Sequence, residues 1–217
     1  MTTRRQILAS MAACTAPDTA ATPKGPLIVP FAPSPGGGPL DGFSIALTGG
    51  GRLPDWAAMP DPDQPGAFVF AQSSTDPTDY RFPLAIYNRF FAADVDVSVR
   101  FKAVAGSVDR AAGIAIRLTD PTRYYGVRAN ALEDNVNFYR VGTGGRREIQ
   151  GADTKAPSGV WHTPGLRAEG DRFAVSFNGK TLFAATDRTI AGPGKVALWT
   201  KADSVTWFAG LSLQRSH

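Results

Sequence analysis

From about residue 41 onward apolar and polar positions alternate with a period of two, the signature of half-buried β-strands. The clearest stretch is Val95–Lys102, in which Val95, Val97, Val99 and Phe101 are apolar and Asp96, Ser98, Arg100 and Lys102 are polar or charged. The first set belongs to a core face and the second to the opposite face. Ile114–Leu118 repeats the pattern and places Gly113, Ala115 and Arg117 on an outer face. Tyr124–Asn130 and Val136–Val141 read as paired strands joined by Ala131-Leu132-Glu133-Asp134. Phe173–Phe177 turns at Asn178-Gly179 into Thr181–Ala185; Asn-Gly suits a two-residue hairpin because both turn residues take positive φ. Lys195–Thr200 and Val205–Leu213 close the series, and in the latter Val205, Trp207, Ala209, Leu211 and Leu213 share one face, which predicts a core position for Trp207. No segment sustains a 3.6-residue period. Many short strands separated by turns predict an all-β, antiparallel sandwich. The span 41–215 is larger than the ~100 residues of an immunoglobulin-type domain and suits a jelly roll.

The first 40 residues differ. Thr3-Arg4-Arg5-Gln6-Ile7-Leu8, followed by the weakly apolar Ile7–Ala13, resembles a twin-arginine export signal, and Met11-Ala12-Ala13-Cys14 resembles a lipobox with Met where Leu is usual. Residues 1–14 are therefore expected to direct export to the periplasm or cell envelope, with Cys14 as a lipid attachment point and the sole route to a membrane. Residues 15–40, rich in Ala, Thr, Pro and Gly and ending in Ser34-Pro35-Gly36-Gly37-Gly38-Pro39, hold too little apolar surface to offset their ordering entropy and are expected to form a disordered tether. No apolar run approaches the ~18 residues of a membrane-spanning helix.

Composition narrows the partners. The 217 residues carry a net charge of +4, to which Arg4 and Arg5 contribute, and the other Lys and Arg are scattered among Asp and Glu. That distribution offers no concentrated basic face and argues against nucleic acid. One cysteine allows no internal disulfide, and Cys14, His162 and His217 cannot make a structural zinc site. The domain is expected to be a monomer.

Several stretches share a family order: Val97–Lys102, Asp120–Asn135, Trp161-His162-Thr163, Gly170-Asp171-Arg172-Phe173, Phe177-Asn178-Gly179-Lys180 and Gly194–Thr206. They resemble the bacterial 3-keto-disaccharide hydrolase, or family-16-glycoside-hydrolase-like, domain of the concanavalin A-like lectin/glucanase superfamily, with laminin G-like relatives. The resemblance covers residues 43–214 and implies an exported protein that binds or acts on carbohydrate. A shared fold hosts both enzymes and binding modules, so it does not decide between them.

Glucanases of this fold carry paired carboxylates on one strand, and a retaining mechanism needs them about 5–5.5 Å apart. The nearest match, Asp94-Val95-Asp96-Val97-Ser98-Val99, has Asp where the nucleophile Glu belongs and no carboxylate for the acid/base role. Asp120, Asp134 and Asp171 read as turn residues. His162, beside Trp161 and without a nucleophile elbow, reads as a packing or hydrogen-bonding residue. Sugar rings present apolar faces rimmed by hydroxyls, so a site needs aromatic rings beside planar polar groups. Tyr124, Tyr139 and Trp199 are the candidates for stacking, and Arg128, Asn130, Lys201 and Asp203 for hydrogen bonds to hydroxyls. The small Gly113, Ala115 and Gly126 leave room for a ligand, and Asn137 lines the next strand. In a hydrolase or lyase acting on 3-keto-glycosides, Asp203 or Glu133 would serve as base and Lys201 or Arg128 as charge stabiliser. A cell-envelope adhesion or scaffold module is the third reading.

Three departures from the family pattern matter. Phe208-Ala209-Gly210-Leu211 lacks the Asp that could hold calcium in relatives, so no cofactor is expected. Pro164 cannot donate to a ladder and predicts an edge or bulge. Gly126 replaces a bulkier apolar residue, which widens the groove or weakens the strand.

Overall fold

The computed structural model describes residues 25–33 and 40–216. The leader, Cys14 and most of the tether lie outside the described residues. The strands are β1 (Leu27–Val29), β2 (Phe43–Gly49), β3 (Trp56–Pro60), β4 (Phe68–Gln72), β5 (Arg81–Ala92), β6 (Val95–Ala105), β7 (Ala111–Asp120), β8 (Arg123–Asn130), β9 (Asn135–Gly142), β10 (Gly145–Asp153), β11 (Trp161–His162), β12 (Pro164–Glu169), β13 (Arg172–Phe177), β14 (Lys180–Thr186), β15 (Gly194–Thr200) and β16 (Val205–Arg215). They form two antiparallel sheets. One has nine strands, with the path β14-β13-β12-β6-β16-β4-β3, β1 added beside β16 and β11 beside β6. The other has seven, in the order β10-β9-β8-β7-β15-β5-β2.

The core between the sheets follows the two-residue period. Val95, Val97, Val99 and Phe101 of β6 face Ile114 and Ile116 of β7, Tyr125 and Val127 of β8, and Phe138 of β9 within one buried cluster. The β8–β9 connection and the Asn178-Gly179 hairpin stand where the sequence puts them, with φ of 51° and 81° at the two turn residues. The fold is all-β, as the alternation requires.

Four local expectations are corrected. Part of the expected tether is folded: Leu27–Val29 pairs with Leu213–Leu211 of β16, and Phe31 and Leu40 are buried. The three branched apolar residues suit a strand, and the Phe31 ring packs 6.0 Å from Phe43 and 5.7 Å from Phe70. Trp207 leaves the core, because the pairing of β16 with β6 shifts between Ala209 and Ser212 around Gly210, whose φ is +62°. One inserted residue exchanges the faces, so Phe208, Leu211 and Leu213 are buried while Trp207 is half-exposed. Arg117 likewise turns inward at a bulge in β7, with a φ of 50°, rather than sharing the outer face with Ala115. Pro164 occupies neither an edge nor a bulge; it is the first residue of the interior strand β12, where the missing N–H costs no ladder bond to β6.

Candidate functional site

The outer face of the seven-stranded sheet carries the polar–aromatic cluster. Directly paired residues share a face, so register alone gathers it. On β8, Arg128 stands between Gly113 of β7 and Asn137 of β9, and Gly126 between Ala115 and Tyr139. Tyr124 is opposite Val141, which is opposite Arg146 of β10; Tyr139 is opposite Glu148. From β15, Trp199 pairs with Gly113 on one side and Leu84 of β5 on the other. The bed is apolar: Phe82, Leu84, Ala115, Tyr124, Val141, Ala197 and Trp199 form a second buried cluster.

The aromatic side chains are locked. Trp199 stacks on Phe82 with centroids 5.1 Å apart, and its Nε1–H donates to the Tyr124 hydroxyl at 3.1 Å. The Thr48 and Tyr124 hydroxyls lie 3.2 Å apart. Burial pushes the Tyr124 phenol up to about 12, so it stays a neutral donor and acceptor. Over Gly126 remains a cavity of about 10 Å³, lined also by Tyr124, Arg128, Tyr139, Arg146 and Trp199. That is space for roughly one water molecule. The expectation of an open groove is thereby corrected: the Tyr124 and Trp199 rings take up the room beside the small residues, and Arg146 lies across the top, 4.5 Å from the Tyr139 centroid and 5.0 Å from that of Phe82. Gly113 leaves no ligand space either. A Cβ there would sit 2.0 Å from the Val127 carbonyl oxygen, so this glycine serves the approach of two backbones.

Polar side chains rim the cavity. Arg128, buried, donates through Nη2 to Glu133 Oε2 at 2.7 Å and to Asn135 Oδ1 at 2.8 Å. Burial would raise the Glu133 carboxyl, but hydrogen bonds from Arg128 and Asn135 and the Arg128 charge hold it below its ordinary value. Asn137 donates to the Tyr139 hydroxyl at 3.0 Å and to Glu148 Oε2 at 2.9 Å.

The structure thus brings together Tyr124, Arg128, Tyr139 and Trp199, with Glu133 behind Arg128. It does not bring Asn130, Lys201 or Asp203 to the cavity. Asn130 Oδ1 accepts the Leu132 N–H at 3.0 Å and closes the β8–β9 turn. Lys201 is held by Asp79 at 2.6 Å and Asp109 at 2.7 Å. Asp203 accepts the backbone N–H groups of Ser107, Val108 and Asp109 at 2.7, 3.1 and 2.9 Å. These contacts make Asp203 the anchor of the β6–β7 connection. Asp96 and Ser98 lie on β6, in the other sheet, so that strand brings no carboxylate to this face. Buried His162 accepts from Asn178 Nδ2 at Nδ1 and donates from Nε2 to the Pro157 carbonyl, each at 3.1 Å, and stacks on Phe177.

Sequence reasoning missed Arg146, Phe82 and the exposed Tyr80, whose ring lies 4.8 Å from that of Phe82. The signal for Arg146 is the Gly142-Thr143-Gly144-Gly145 turn, which returns the chain antiparallel to β9 and sets Arg146 opposite Val141.

The fold is an all-β, antiparallel jelly-roll sandwich. No family model and no curated protein matches the sequence; the likeness lies in the structure. The carbohydrate-binding module CBM66 from Bacillus subtilis superposes with a TM-score of 0.61 at 17% identity, over 81% of this chain and 96% of that one. The Bacillus licheniformis β-glucanase superposes with a TM-score of 0.58 at 13% identity, over 90% and 100%. The Bacteroides ovatus GH16 enzyme of a mixed-linkage glucan locus gives 0.53 at 8%, over 73% and 85%.

Proposed function

We propose that this protein is a carbohydrate-binding domain that takes a glycan on the outer face of the seven-stranded sheet. The observation that carries the reading is the convergence of Tyr124, Tyr139 and Trp199 with Arg128 and Arg146 around the cavity over Gly126, with Asn137 bonded to the Tyr139 hydroxyl beside it. Aromatic rings beside planar hydrogen-bonding groups match the alternation of apolar C–H faces and hydroxyls on a pyranose. The likeness to structures named as a carbohydrate-binding module and as glucanases supports it. Residues 1–14 would export the domain to the cell envelope and Cys14 would anchor it there, acting as a monomer without a metal.

Gly126→Ala tests the location. The added methyl meets the Ile114 carbonyl oxygen at 3.5 Å and the Tyr124 ring at 3.6 Å, ordinary contacts, and points into the cavity. Replacing a strand glycine should stabilise the fold by about 0.5–1 kcal/mol. Glycan affinity, measured by calorimetry with the full chain against soluble oligosaccharides, should fall severalfold. A more stable variant that binds as well as the parent would place the ligand elsewhere.

A hydrolase or lyase on 3-keto-disaccharides is the second reading, and Glu133, which lines a neighbouring recess with Asp134, Asp153 and Lys155 and is bonded to Arg128 of the cavity wall, favours it. A carboxylate held ionised can take a proton from the acidified C–H beside a ketone. Product release from 3-keto-disaccharides, abolished in Glu133→Gln and unchanged by EDTA or calcium, is the expected result; a fully active variant would sink this role.

A further inference from the structure

Arg146 is the one cationic side chain over the cavity that makes no ion pair among the described residues, and its Nη1, fully buried, has no hydrogen-bond partner. The Nε of Arg128, on a side chain 3% exposed, is equally buried and unpartnered. Both guanidinium groups lie against the same ring, at 5.5 Å for Arg128 and 4.5 Å for Arg146 from the Tyr139 centroid. A buried donor left unpaired is costly, on the buried Arg128 as on the inner end of the half-exposed Arg146, and two like charges sharing one aromatic ring repel. A neutral hydroxyl would satisfy a donor and leave the charges as they are. A carboxylate would accept from both guanidinium groups and offset their repulsion, and its two coplanar oxygens match the guanidinium fork.

The surroundings allow an anion to enter. Glu133 engages Nη2 of Arg128 and leaves Nε free, while Glu148 is turned to Asn137. Asp79, another carboxylate on this side of the sheet, is held by Lys201 at 2.6 Å. Arg146 itself sits on β10, the edge strand, directly after Gly144 and Gly145, both at positive φ. Its hold on Tyr139 and Phe82 is by stacking alone, so the side chain can swing outward without breaking a hydrogen bond or ion pair.

We propose that the pocket is a subsite for the carboxylate of an acidic sugar, a uronate unit of a glycan. Arg146 acts as a lid that lifts from Tyr139 and Phe82 and closes on the carboxylate, and Arg128 Nε contacts it from the pocket wall. The inference rests on the carbohydrate-binding reading and deepens it.

The test uses the full chain and matched probes: oligosaccharides of galacturonate, glucuronate and mannuronate, each beside its fully methyl-esterified form, and neutral gluco-oligosaccharides. Titration calorimetry should give at least one acid form about tenfold tighter than its ester, weakening as salt rises. Arg146→Gln should abolish that preference while residual binding to the ester persists, and Arg146→Lys, with charge but no fork, should retain part of it. Both variants sit on an edge strand, and an unchanged melting temperature confirms their fold. Equal affinity for acid and ester, or an acid preference that survives Arg146→Gln, overturns the uronate subsite and leaves glycan binding standing. If no oligosaccharide binds in either form, the glycan reading fails and the subsite with it.

Discussion

Arg117→Ala should lower the unfolding free energy by about 3–5 kcal/mol. The side chain is 1% exposed and bonds to three carbonyls from distant parts of the chain. Nε donates to Ala93 at 2.8 Å, Nη1 to Ile190 at 2.8 Å, and Nη2 to Gly170 at 2.6 Å and to Asp94 Oδ1 at 3.2 Å. Those partners lie in the β5–β6 corner, the β12–β13 turn and the segment before β15, so one cation holds three connections at the edge of the core. Its guanidinium also lies 5.2 Å from the Phe173 centroid. Truncation strips three carbonyls of their donor and opens a void, two penalties in one change. Arg117→Lys keeps the charge but cannot reach three carbonyls at once and should recover only a minor part. Urea denaturation measures both; an alanine variant within about 1 kcal/mol of the parent would mean that the carbonyls find other donors.

Asp203→Ala should cost about 2–4 kcal/mol, and Asp203→Asn somewhat less, because the carboxylate accepts three consecutive backbone N–H groups. The same contacts set a pH dependence. Burial raises the Asp203 carboxyl, but the backbone donors of Ser107, Asp109 and Val108 outweigh it and hold the group below its ordinary 3.8. A depressed carboxyl contributes stability that is fully present above that ordinary value and is lost as pH falls through the lowered one. Thermal midpoints of the parent should therefore drop more steeply than those of Asp203→Asn below about pH 4. The experiment also separates two roles. An anchor predicts a destabilised Asn variant, whereas a catalytic base predicts a stable protein that has lost turnover.

The strand period is a local property, and it carried far. Alternation in Val95–Lys102 put four side chains in the core, and Asn178-Gly179 marked its turn because few residue pairs tolerate two successive positive φ values. The pairing of Tyr124, Arg128 and Tyr139 on one face was also legible, since faces follow from parity once β8 and β9 are joined by a short turn. Parity is equally where local reasoning failed. The bulge at Gly210 inserts one residue against β6, and the irregularity at Arg117 inserts one against β15 and two against β8; an odd insertion reverses every later side chain until the next irregularity, and nothing in the flanking residues reports the shift.

What the sequence determined by itself is the all-β class, most of the strands from Val95 onward, and the residue types available for recognition. The tertiary structure alone decided which of those residues meet. Leu27–Val29 joined the fold because an unpaired side of β16 was open to it. Lys201 and Asp203 left the site because Asp79, Asp109 and the backbone of residues 107–109 took their hydrogen-bonding capacity. Arg146 entered because a hairpin set it beside Tyr139. Each outcome depends on a partner far along the chain or across a register, and a contact of that kind exists only once the sheets have closed.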